Sequence, residues 1–217
     1  MRGLFVKDFE LLLVQKKFYG MVLVVGIILN FMTGNFFASS YIMMFCAMFV
    51  TTTVSYDEFE NGYGFLMTLP IQRKDYVKEK YLFGLITGFG AWVLGLAMEM
   101  VCILIQKSET KISELLGTSL LMWSVGLAMI AVMLPFFLKF GPEKGRNIVF
   151  AALGGIVGSL YVVTRISSRY GFDLSGIFDG VLNSKIITIS LLVFFGILFL
   201  YMISCRISMG IMEKKEF

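Results

Sequence analysis

Three observations predict an all-α membrane protein with six transmembrane helices, an N-terminal amphipathic interfacial helix and both termini cytoplasmic. Of 217 residues, 58% are hydrophobic and 16% charged, where a soluble domain carries about a quarter charged residues. Several windows are as apolar and as long as the roughly 20 residues that a helix needs to cross a hydrocarbon core. Charged side chains are gathered into short stretches between those windows. No loop is long enough to bury a core of its own, so residues 1–217 read as a single transmembrane domain.

The first element is "MRGLFVKDFELLLVQKKF". Phe5, Phe9, Leu12 and Leu13 recur at helical spacing, while Lys7, Asp8, Glu10 and Lys17 point elsewhere; Leu4 and Leu11 interrupt the pattern. Residues 1–17 are therefore expected to lie as a helix in the membrane interface. The stretch is too charged, and too long before the first apolar segment, to read as a cleaved leader.

Span one covers about 18–31 and ends at "MTGN", a turn signal. Span two covers about 36–54, span three 81–105, and span four about 115–138 with Pro135 near its end. A short span five follows at about 148–163, and span six is "IITISLLVFFGILFLYMIS" at 186–204. With the N-terminus inside, fourteen of the nineteen Lys and Arg residues fall in inside segments. Only Lys107, Lys111, Arg165, Arg169 and Lys185 fall outside. This asymmetry places both termini, and the segment between spans two and three, in the cytoplasm.

That cytoplasmic segment, 56–80, is dense in charge and aromatic side chains. In "YDEFENGYGFLMTL" the acids Asp57, Glu58 and Glu60 suit the positive end of a short helix. Pro70 then ends that half, and "RKDYVKEKY" starts a second helix that feeds span three. A helix, a break and another helix would make a protruding knob. A solvated loop obeying the charge rule would explain the lysines and leave the aromatics without a reason.

In span three, Gly84, Gly88, Ala91, Gly95 and Glu99 step by four, three, four and four and share one helix face. Small residues on a stripe let a neighbouring helix approach closely. Glu99 is the only charge placed inside a span, and an acid at that depth faces protein or water. Two readings stay open: an acid on a substrate path or gate, and a structural hydrogen bond to a neighbouring helix. Ala151, Gly155 and Gly158 form a second packing stripe on span five. The external loop 164–185 carries Leu174, Ile177, Phe178, Val181 and Leu182 at helical spacing, as for a short surface helix.

The chain has no histidine, which removes the usual general base and the commonest metal ligand. Cys46, Cys102 and Cys205 stand singly and match no zinc spacing, so no metal site is expected. No phosphate-binding G-x-x-x-x-G-K-[ST] loop occurs; "GPEKGRN" at 141–147 has the wrong spacing. The chain therefore has no ATPase site of that kind. A membrane-embedded lipid enzyme would need a polar catalytic cluster, and neither histidine, paired in-span acids nor a G-x-S-x-G serine is present. A channel would need polar residues repeated along a pore helix, and Glu99 stands alone.

An acidic pair after span two, an aromatic-bearing stretch, "LP", a basic pair and "VKEKYL" leading into span three together resemble small permeases of type-2 ABC (ABC-2) transporters. The layout of spans and termini is similar to that family over the whole chain. The resemblance implies that segment 56–80 is a coupling element docked in a cleft of separate ATPase subunits. It implies docking roles for Asp57, Glu58, Phe59, Asn61, Tyr63, Leu69, Pro70 and Arg73. Many members have a small hydroxyl residue before the basic pair, where this chain has Gln72. The implied assembly holds a second permease chain, identical or related, in a bacterial plasma membrane, with lipid around it and no nucleic acid. ATP and magnesium would be held by the partner ATPase, and amphipathic or antimicrobial peptides would be the exported substrates.

Overall fold

The computed structural model describes residues 2–33, 37–59, 62–63, 72–107, 111–149, 151, 154 and 186–215. Among the described residues six helices carry the fold: α1 (Arg2–Val14), α2 (Lys16–Thr33), α3 (Phe37–Glu58), α4 (Arg73–Gln106), α5 (Ile112–Phe140) and α6 (Ile186–Lys214). Four of them, α3 to α6, are long and apolar enough to cross a membrane. A fifth crossing is made if α1 and α2 count together as one broken span, bent by 64°. Most of the expected span five lies outside the described residues, as do loop 164–185, Gly155 and Gly158.

α4 begins at Arg73 and runs unbroken for 34 residues, about 51 Å, so it outreaches a hydrocarbon core of about 30 Å. Its expected small-residue stripe is buried throughout, from Gly84 to Glu99. A Cβ at Gly95 would meet the Ser39 Cα at 2.7 Å, which fixes glycine where α4 crosses the start of α3. α6 is the most apolar span, yet only 11% of its central window is buried. Leu192, Phe195, Phe199 and Leu200 are mostly exposed, as a helix facing lipid or another chain requires.

α5 packs most extensively against α6, and one polar exchange ties them. Pro135 has no N–H, so the Ala131 carbonyl one turn earlier loses its helical donor. The Ser204 hydroxyl on α6 donates to that carbonyl at 2.5 Å. Tyr81 on α4 joins the same site, its hydroxyl 2.7 Å from Ser204 Oγ and 2.8 Å from Ser208 Oγ. Three helices thus share one group of hydroxyls in a core of Phe83, Leu127, Ile130 and Leu134.

α1 differs from its expected orientation. Leu4 and Asp8 face the bundle and are almost fully buried, while Phe9 is partly and Leu13 mostly exposed. Phe5 and Leu12 of the expected stripe pack against the core beside Leu4 and Leu11, which interrupt it. Asp8 turns inward because a cation on α4 awaits it there.

Candidate functional site

The chain gathers its charges where α1, the end of α3 and the start of α4 meet. The acids Asp57 and Glu58 were expected to open a short helix; the structure instead makes them the last turn of α3. A helix C-terminus carries partial negative charge, so acids there need cations nearby. Lys80, one turn or two into α4 and fully buried, supplies the principal one. Its Nζ lies 2.8 Å from Asp57 Oδ2, 2.5 Å from Asp8 Oδ2 and 3.1 Å from Thr53 Oγ1. Three ammonium donors thus meet three acceptors, which is what a lysine removed from water requires.

Lys7 pairs with Asp57 from the half-exposed side and lies 3.4 Å from Asp8. Tyr76 donates to Asp57 Oδ2 at 2.8 Å, its ring 5.4 Å from the Lys80 ammonium. The Tyr76 and Tyr63 hydroxyl oxygens are 3.4 Å apart, and the rings meet edge to face at 5.7 Å. Tyr63 is buried, and burial holds its phenol above the ordinary range. Glu79 is also buried, and neither of its carboxylate oxygens has a hydrogen-bond partner among the described residues.

The end of α6 closes on the same region. Arg73 donates to the carbonyls of Glu213 and Lys215, both at 2.9 Å, satisfying acceptors that a helix C-terminus leaves open. Lys215 lies 3.5 Å from Glu58 and over the Tyr63 ring at 4.8 Å. Gly141, in the positive-φ region, ends α5 against Glu58; a Cβ there would meet Glu58 Oε1 at 3.0 Å. Gln72 precedes α4 without a side-chain cap.

Of the residues assigned to docking, Asn61, Leu69 and Pro70 lie outside the described residues. Asp57, Glu58, Phe59, Tyr63 and Arg73 come together at this end. Asp57 and Tyr63 point inward as internal braces, Glu58 and Arg73 are shared with the end of α6, and Phe59 stands 71% exposed. Sequence reading missed Asp8 and Lys80. The available signal was a charge on each of two apolar stripes, Leu4–Asp8–Leu11 and Val77–Lys80–Gly84.

Glu99 occupies the opposite end of α3. It is 1% exposed and accepts from the Ser39 backbone N–H at 3.0 Å and the Ser39 hydroxyl at 2.6 Å, both on Oε1. The carboxylate therefore caps the first turn of α3 from a neighbouring helix. Sequence reading named a hydrogen bond to a neighbouring helix as one role for Glu99 and a path or gate as the other; the contact with Ser39 is of the first kind.

No curated protein and no solved structure matches the chain. A family model described as ABC-2 family transporter protein matches residues 3–213. That match covers nearly every residue whose geometry is described above, and with the apolar helices it makes this a multi-pass membrane protein. The chain belongs to the ABC-2 family of transporter membrane components.

Proposed function

We propose that the chain is the permease subunit of an ABC exporter, and that separate ATPase subunits dock on the end of the bundle built around Lys80. The observation that carries this reading is the pairing of a rigid base with an exposed tip. Asp8, Lys80, Asp57 and Tyr76 lock three helices together, and Phe59 projects from them into the open. A docking element must pass a push to the spans, which a braced segment does and a solvated loop does not. The lysines gathered at this end support a cytoplasmic side, where an ATPase would be found. Two permease chains, identical or related, would flank a path for amphipathic or antimicrobial peptides, opened to the outside as ATP closes the partner subunits.

Co-purification from the native membrane tests the reading. The tagged chain is expected to bring down a stoichiometric soluble protein with a phosphate-binding loop. Phe59→Ala is expected to lose that protein at least tenfold while leaving the chain's melting temperature unchanged. A chain recovered alone, under extraction that preserves other membrane complexes, would overturn the proposal.

A further inference from the structure

A groove of about 450 Å³ opens between the last turn of α5 and the last two turns of α6. Leu138, Ile207, Gly210 and Ile211 form its apolar floor, and Lys139 and Lys214 stand on its rim. Lys215 lies further in, shared with Glu58 and Tyr63. Among the described residues, neither Lys139 nor Lys214 has a carboxylate within ion-pair distance. A Cβ built on Gly210 meets nothing within 4 Å, so the floor has room beside the helix backbone.

Three properties define the occupant. The floor is apolar and the rim cationic, which fits a molecule with a hydrocarbon part and an anionic part. Lys139 and Lys214 end their helices, and each helix of 29 residues extends about 43 Å, beyond a core of about 30 Å. The ammonium groups therefore sit at headgroup height, with the apolar residues one or two turns toward the hydrocarbon. Basic pockets between transmembrane helices hold anionic headgroups by this arrangement. We propose that the groove at the ends of α5 and α6 binds an anionic phospholipid, its phosphate between Lys139 and Lys214 and an acyl chain along Gly210, Ile207 and Ile211.

Native mass spectrometry of the purified full-length chain tests this with phosphatidylglycerol and phosphatidylcholine of identical acyl chains. The wild-type chain is expected to retain phosphatidylglycerol preferentially, with roughly fivefold contributed by each lysine. Lys139→Gln with Lys214→Gln should bring the two lipids to parity. Gly210→Leu, which fills the floor and leaves the charges, should release both lipids. Lys17→Gln with Lys78→Gln removes equal charge from the same end and should preserve the preference. Melting temperatures of all variants, expected within a few degrees of wild type, separate lost binding from lost folding.

Equal retention of the two lipids by the wild-type chain would overturn the proposal. So would a preference that survives loss of both rim lysines, or one that Gly210→Leu leaves intact. Displacement of phosphatidylglycerol by millimolar inorganic phosphate would show an anion site without a lipid, and that too would overturn it.

Discussion

The two ends of α3 each bury an acid, and they do so under opposite electrostatic conditions. At the N-terminus, Glu99 meets unpaired N–H groups and the positive end of the helix; one residue, Ser39, holds its Oε1, while Oε2 is buried with no hydrogen-bond partner among the described residues. At the C-terminus, Asp57 sits where the helix itself is negative. It takes Lys80, Lys7 and Tyr76 to hold it, and Lys80 brings Asp8 with it. A buried charge in a membrane bundle is thus met by dipoles where the backbone is favourable and by whole counter-ions where it is not. The first solution needs a single contact. The second recruits residues from three helices and so ties their positions to one another.

The comparison breaks first at its crowded end. Lys80→Met leaves Asp8 and Asp57 with only the half-exposed Lys7, and removing one partner of a buried ion pair costs about 3–5 kcal/mol. The expected result is a large fall in melting temperature, partly recovered by adding Asp8→Asn and Asp57→Asn. No fall would mean that water reaches the cluster. At the other end, Glu99→Ala leaves the Ser39 N–H without its acceptor, a loss of about 1–3 kcal/mol. Glu99→Gln keeps an acceptor and should cost less than about 1 kcal/mol. Unchanged transport by the Gln variant would favour a capping role, whereas lost transport at unchanged melting temperature would favour the path or gate. The smallest effect is expected at Glu79, whose carboxylate lacks a hydrogen-bond partner among the described residues. Glu79→Gln removes a poorly satisfied buried charge, so melting temperature should hold steady or rise slightly; a marked fall would reveal a cation that depends on it.

Much of this was legible in the sequence because it rests on local pattern. The end of α2 at Thr33, the start of α4 at Arg73 and the buried stripe from Gly84 to Glu99 all follow from periodicity and composition. The long-range pairings did not. Asp57 and Glu58 read as a helix start because acids favour that end; nothing within a few residues shows that Lys7, Lys80 and, near the C-terminus, Lys215 reverse the preference. The orientation of α1 was missed for a related reason. Apolar spacing pointed to Phe5, Phe9, Leu12 and Leu13, of which Phe5 and Leu12 do pack inward, while the Asp8–Lys80 ion pair turns the buried face toward Leu4 and Asp8. Ser204 as the substitute donor for the Pro135 turn is likewise set by how α6 lies on α5.

The Asp8–Lys80 pair also orders events in time. The two residues are 72 positions apart, so at roughly 5–20 residues per second the ribosome makes the acid several seconds before its cation. Asp8 must stay hydrated through that interval, since burial alone would strand it. The inward face of α1 therefore settles only after α3 has been made and α4 has begun, so the first helix synthesised waits for the fourth before it reaches its final place.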